Sequence, residues 1–139
     1  MRFEREGKKA IQNVSEKQLR RQLGFKKGGD NTFAILEKDD GSYVQMLGGG
    51  VACCLEWRDL ESRRHYRAFV EPPKVPWEKP ATLGGVLLMP NENLFIDDVI
   101  EVFCAFLNGT KFPSDVRWRD VTGELAAFGV MRPGTFQTG

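Results

Sequence analysis

The sequence has few of the residues that most often carry catalysis or cross-linking: three cysteines and one histidine in 139 residues. Cys53 and Cys54 are neighbours, and in an extended strand their side chains point to opposite faces. Cys104 lies in an apolar stretch, so we expect three reduced cysteines that serve as small core residues. The single histidine, His65, lies near no Cys-x-x-Cys pair, so the sequence indicates no metal site and no cofactor.

The sequence also lacks a charge excess and a long apolar run. Twenty basic and nineteen acidic residues leave a net charge of +1, so no overall field points to nucleic acid or an anionic membrane as a partner. The longest apolar runs, such as Val86 to Met89, are far shorter than a bilayer span, and no signal segment follows the charged start. We therefore expect one cytoplasmic domain over residues 1–139, with its core at about 14–120 and a mobile tail at about 124–139.

Charge is distributed unevenly along the chain. Residues 1–30 hold nine basic and four acidic residues, whereas residues 31–139 hold eleven basic and fifteen acidic residues. The body is therefore mildly acidic, which would suit a basic partner. The basic leading segment leaves open a nucleic-acid-binding module, although no aromatic residues interleave with its charges.

A short helix is predicted over Glu16 to Leu23. Ser15 as N-cap and Gln18 three residues later form a capping box, and Val14 with Leu19 supplies a hydrophobic staple. Gly24 follows as the expected left-handed stop.

A run of strands follows the first helix. The β-forming patterns predict strands at Thr32 to Lys38, Ser42 to Leu47, Val51 to Arg58 and His65 to Val70. A turn at Asp39-Asp40-Gly41 joins the first two, and Gly48 to Gly50 is expected to break the chain before the third. Short connections of this kind predict an antiparallel meander.

The second half of the chain supplies the cover for this sheet. Glu71 to Pro80 holds four of the seven prolines and predicts a stiff surface crossing, followed by a strand at Val86 to Met89. The apolar spacing from Phe95 to Leu107 predicts the main helix, with Asn93 as N-cap and Asn108-Gly109 as its stop. A short edge strand is expected at Val116 to Arg119. The predicted fold class is α+β: an antiparallel sheet of about five to six strands packed against one main amphipathic helix, with a short N-terminal helix.

The sequence contains no complete set of catalytic residues. Gly48 to Gly50 lacks the lysine and the helix of a phosphate-binding loop. The alternative of a small enzyme would have to pair Cys53 or Cys54 with His65, and no third group to orient that pair is evident. We therefore do not expect an enzyme.

The predicted sheet instead collects polar, aromatic and guanidinium side chains on adjacent strands. Arginine and tryptophan are frequent at protein-binding hot spots, and a solvated sheet face with cross-strand Glu–Arg pairs is the alternative explanation. The candidate partner-binding residues are Asp39, Asp40, Tyr43, Gln45, Glu56, Trp57, Arg58, Tyr66, Trp77 and Trp118.

The order of elements resembles a known family. A hairpin, "ILEKDDGSYVQ" from Ile35 to Gln45, is followed by "CLEWR" from Cys54 to Arg58. The helix "LFIDDVIEVFCAFLNG" from Leu94 to Gly109 and "FPSDVRWRD" from Phe112 to Asp120 then follow. This order is similar to that of the small immunity proteins of bacterial polymorphic-toxin and contact-dependent systems, particularly the first immunity-protein family. The resemblance implies a cytoplasmic protein that binds a cognate toxin domain and occludes its active site.

Overall fold

The computed structural model describes residues 1–24, 32–50, 52–83 and 86–124. Six strands form one antiparallel sheet, in the spatial order β1 (Arg2–Arg5), β2 (Thr32–Glu37), β3 (Tyr43–Gly49), β4 (Ala52–Asp59), β5 (Arg64–Phe69) and β8 (Arg117–Asp120). A separate hairpin is formed by β6 (Ala81–Leu83) and β7 (Val86–Leu88). The two α-helices are α1 (Glu16–Gly24) and α2 (Ile96–Asn108).

The predicted α+β class and the meander from β2 to β5 are confirmed. The sequence patterns missed β1, because a four-residue strand of alternating charge carries little apolar signal beyond Phe3. The strand predicted at Val86 to Met89 exists, but it pairs with β6 and does not join the main sheet. Val51 and the tail predicted at 124–139, apart from residue 124, lie outside the described residues.

Helix α1 begins as its sequence predicts. The backbone N–H of Gln18 donates to Ser15 Oγ at 3.1 Å, and the backbone N–H of Ser15 donates to Gln18 Oε1 at 2.9 Å. Val14 and Leu19 are both buried. The expectation for Gly24 is wrong, since it is the last helical residue and is absent from the glycines with positive φ.

Alternation along the strands gives the sheet two different faces. On the helix face, apolar residues such as Val44, Met46 and Leu55 form the main core with Phe103 and other residues of α1 and α2. On the opposite face, which we call the hairpin face, Cys54 packs with Val86 and Leu88 of the β6–β7 hairpin. Cys53 and Cys54 therefore contribute to different cores, as the strand geometry predicts.

Helix α2 is fixed across the sheet at its N-terminal end. The backbone of Leu94 exchanges two hydrogen bonds of 2.9 Å with Cys53, and Ile96 N–H donates to the Gly50 carbonyl at 2.8 Å. The helix starts at Ile96, and Asp98 Oδ2 accepts from the backbone N–H of Phe95 at 3.2 Å. The predicted N-cap at Asn93 is therefore wrong, because this pairing with β4 keeps the chain extended through residue 94.

The proline-rich segment forms neither helix nor strand, as predicted. Lys74 fastens it to α2, since its Nζ donates to both carboxylate oxygens of Asp98 at 2.7 and 2.9 Å. No helix within the described ranges has the length and apolarity needed to cross a membrane.

The three-glycine segment does not interrupt β3, which continues through Gly49. Gly48 has a φ of +112° and Gly50 a φ of +62°, values that favour glycine over other residues. A Cβ at Gly48 would also collide with the backbone carbonyl oxygen of Ala52 and lie 3.0 Å from Leu83 Cδ2. The glycine therefore permits the close turn between β3 and β4.

Gly48→Ala should lower the free energy of unfolding by at least about 2 kcal/mol, because backbone strain and a steric collision coincide. Urea denaturation would measure the loss. Gly123→Ala is the matched control, since a Cβ there meets nothing within 4 Å and needs no positive φ. Equal stability of the two variants would contradict this account of the turn.

Candidate interaction site

A row of polar side chains crosses the hairpin face of the sheet. The strand register places Gln45 opposite Glu56, Glu56 opposite Arg67, and Arg67 opposite Arg119, on four consecutive strands. Directly opposite residues share a face and lie within side-chain reach of each other. The row is buried apart from its last member: Gln45, Glu56 and Arg67 are 3%, 0% and 2% exposed.

Glu56 is the acceptor at the centre of this row. Its Oε1 accepts from Gln45 Nε2 at 3.1 Å and lies 3.1 Å from His65 Nε2. Its Oε2 accepts from Nε and Nη2 of Arg67, both at 3.2 Å. Because a carboxylate only accepts, the contact with His65 requires a proton on its Nε2. The buried carboxylate of Glu56, on β4, thus joins side chains from β3 and β5.

A second buried carboxylate comes from outside the sheet. Glu92, in a short 3₁₀ helix (Pro90–Glu92), accepts from Arg119 Nη2 at 2.6 Å. Its Oε1 lies 3.6 Å from Arg67 Nη1, which also donates to the Leu87 carbonyl at 3.3 Å. The hydrogen bond with Glu92 raises the pKa of Arg119. Arg67 therefore links the sheet to the β6–β7 hairpin and to the segment before α2.

The two carboxylates and two guanidinium groups of this network balance in charge. Burying an ion is costly unless close partners of opposite charge and hydrogen bonds compensate it. Here Glu56 and Glu92 each have a guanidinium within hydrogen-bond distance. The network accordingly holds β3, β4, β5 and β8 and the hairpin in one fixed arrangement.

The helix face carries a different cluster where the sheet extends past α2. The rings of Trp57 and Tyr66 are stacked with centroids 4.8 Å apart. Phe112, from the loop after α2, and Trp118 of β8 contact Trp57 edge-on at 5.0 and 5.5 Å. All four side chains are half-buried. We call these four residues the aromatic cluster.

Charged side chains border the aromatic cluster. Asp120 lies directly opposite Tyr66 in the register and pairs with Arg64, with its Oδ2 3.3 Å from Arg64 Nη1. Both side chains are exposed. A partly exposed aromatic centre with a charged rim is the typical anatomy of a protein-binding surface.

The structure brings together some of the predicted partner-binding residues and separates others. Trp57, Tyr66 and Trp118 meet in the aromatic cluster, whereas Trp77 lies half-buried in the proline-rich segment. Arg58 lies on the hairpin face, where its Nη1 is 3.4 Å from the Arg63 carbonyl.

Two predicted residues occupy the exposed turn between β2 and β3. Asp39 and Asp40 lie there, and Asp40 Oδ1 accepts from the backbone N–H of Ser42 at 2.8 Å. Such a contact is a local turn interaction.

Three of the predicted residues are not available to a partner. Tyr43, Gln45 and Glu56 are 3%, 3% and 0% exposed, so the expectation that they lie on a solvated surface is wrong. These residues are buried because other segments of the chain pack over the hairpin face. The alternation of residues within a single strand does not show which face is covered in this way. The alternative explanation, a solvated face with cross-strand Glu–Arg pairs, would leave such a pair exposed, whereas the structure buries Glu56 and Arg67.

The candidate residues predicted from the sequence do not include Phe112, Arg67 or Glu92. Phe112 follows a helix stop and belongs to no periodic pattern. Glu92 is far from Arg67 in sequence, and only the return of the chain before α2 brings them together. One sequence signal could have identified Arg67. In the predicted meander it lies on β5 on the same face as the alternating polar residues of β4.

The alternative of a Cys–His nucleophile gains no support from the geometry. Cys53, Cys54 and Cys104 are buried and form no disulfide, and burial raises the pKa of the Cys54 thiol well above its usual value. His65 directs Nε2 to Glu56. Within the part of the chain that the structure describes, no three His, Cys, Asp or Glu side chains are grouped to hold a metal ion.

Comparisons of the chain with protein-family models, with curated proteins and with solved structures found no match.

Glu56→Leu should destabilise the protein by about 3–5 kcal/mol, since it leaves Arg67 buried without its main counter-charge. Glu61→Leu, at an exposed turn position, is the control and should change stability by less than about 0.5 kcal/mol. Urea denaturation of both variants provides the measurement. A loss below about 1 kcal/mol for Glu56→Leu would refute the stabilising role of the network.

The thiols should be inert in the folded protein. Burial raises the pKa of Cys104 from 9.0 to about 11, so at pH 8 its thiolate fraction falls about a hundredfold. A chromogenic disulfide reagent should label native protein at least about a hundredfold more slowly than urea-unfolded protein. Rapid labelling of one native cysteine would instead favour the enzyme alternative.

Proposed function

We propose that this chain is a cytoplasmic immunity protein, which binds a bacterial toxin domain and neutralises it by occluding its active site. The observation that carries the proposal is the aromatic cluster, half-exposed on a sheet whose other face is braced by buried ion pairs. The resemblance of the hairpin, helix and Trp-bearing strand to the first immunity-protein family supplies the kind of partner. The α+β architecture with an antiparallel sheet is compatible with that resemblance.

Rigidity explains why such a scaffold suits inhibition. A binding surface that is ordered before the partner arrives loses less conformational entropy on association. Trp57 and Tyr66 are fixed by β4 and β5, and the network around Glu56 constrains the same two strands from the opposite face. The aromatic cluster is thus held in place by interactions that a partner does not disturb.

Neutralisation can be tested with the protein encoded by the gene adjacent to that of this chain, since immunity proteins are encoded beside their toxins. Co-expression should restore growth to bacteria that express the neighbouring toxin domain, and calorimetry should give a sub-micromolar dissociation constant. Co-expression of an unrelated immunity protein is the control. Absence of both protection and binding would overturn the proposal.

Tyr66→Ala should weaken the complex about thirtyfold or more, because loss of a central aromatic anchor costs at least about 2 kcal/mol. Tyr66→Phe should retain affinity, since it preserves the ring stacked on Trp57. Leu87→Ala is the surface control: Leu87 is 62% exposed on the β6–β7 hairpin, which covers the opposite face.

Calorimetry of the three variants, with circular dichroism to confirm folding, provides the measurement. Equal affinity of folded Tyr66→Ala and the original chain would exclude the aromatic cluster as the binding centre.

A further inference from the structure

A shallow groove lies between the C-terminal end of α2 and the turn end of the sheet, beside the aromatic cluster. Trp57, Phe106 and Phe112 contribute its apolar surface, and Lys38 and Lys111 contribute two amines. We call this feature the lysine groove. The groove combines aromatic surface with positive charge at the edge of the main core.

Two basic side chains that contact α2 are neutralised by carboxylates. Lys74 is paired with Asp98, and Arg20 with Glu16 and Glu101. Among the described residues, neither Lys38 nor Lys111 forms an ion pair with a carboxylate. Lys38 Nζ instead lies 4.7 Å from the centre of the Phe106 ring, a cation–π contact that keeps the amine at the groove.

The other charges at the groove do not cancel these amines. Asp59 lines the groove and contributes one negative charge, and its Oδ1 accepts from the backbone N–H of Glu61 at 3.3 Å. The C-terminal end of α2 carries about half a negative charge. Its carbonyls are partly satisfied, since Thr110 N–H donates to Ala105 at 3.0 Å and Gly109 N–H to Phe106 at 3.4 Å. Two amines against one carboxylate and the helix dipole leave the groove with a net charge of about +0.5.

We propose that the lysine groove binds an acidic, extended segment of the partner protein. The segment places carboxylates beside Lys38 and Lys111 and an apolar side chain against Trp57 and Phe112. This inference rests on the proposed function and specifies the chemistry of the partner. The local charge thus selects an acidic element, although the net charge of the body by itself suits a basic partner.

A direct test uses a short probe in place of the whole partner. The peptide acetyl-Gly-Asp-Phe-Glu-Gly-amide carries two carboxylates around one aromatic ring, and its Asn/Gln counterpart has the same shape without charge. Two-dimensional NMR of the full chain should show shifts at the backbone amides of Ser42, Ala105, Gly109 and Thr110, which line the groove. The acidic peptide should bind about tenfold more tightly than the neutral one, as expected for two exposed ion pairs.

The double variant Lys38→Gln/Lys111→Gln should lose this tenfold preference. Lys8→Gln/Lys9→Gln is the matched control, because it removes two exposed lysines that do not line the groove. Equal affinity for both peptides, shifts confined to other surfaces, or no binding of the acidic peptide up to about 5 mM would each overturn the proposal.

The toxin assay separates this inference from the proposed function. Neutralisation that persists unchanged in the Lys38→Gln/Lys111→Gln variant would remove the groove from the interface and leave the immunity function standing. Failure of the original chain to neutralise, with acidic-peptide binding intact, would instead remove the toxin as partner. Reduced neutralisation by the double variant, with the lysine 8/9 control unaffected, is the result expected if both hold.

Discussion

The structure depends on one buried carboxylate and the groups that compensate it. Glu56 is fully buried. Its Oε1 accepts from Gln45 and lies beside His65 Nε2, and its Oε2 accepts from Arg67, so that β3, β4 and β5 converge on a single charge. A buried charge is tolerated only when its partners are close and well oriented. Any displacement of these strands would leave Glu56 or Arg67 unsatisfied, and the register is specified accordingly.

The same strands carry two surfaces with different properties. Successive residues of β4 point to opposite faces: Glu56 belongs to the buried network, and Trp57 belongs to the aromatic cluster. The ordered network on one face therefore positions the half-exposed rings on the other. The lysine groove continues the aromatic surface toward the end of α2, where Phe112 links the helix to the cluster. This arrangement supports the proposal of a rigid binding domain.

Local sequence signals predicted much of the fold and less of the site. The capping box at Ser15, the alternation along β4 and the apolar stripe of α2 are short-range patterns, and the structure confirms each of them. Three of the candidate residues, Trp57, Tyr66 and Trp118, meet in one cluster. The meander and the edge strand, both predicted from the sequence, place them on neighbouring strands. Burial of Gln45 and Glu56 was not predicted, since the cover over the hairpin face comes from segments distant in the chain.

The sequence by itself determined the class of fold, because side-chain period and turn chemistry act over a few residues. It also determined which strand residues share a face. Only the tertiary structure decided which polar residues are buried, because burial depends on what packs above each face. The β6–β7 hairpin and the return of Glu92 before α2 close over the polar row. Contacts of that kind join residues far apart in sequence, and no local pattern encodes them.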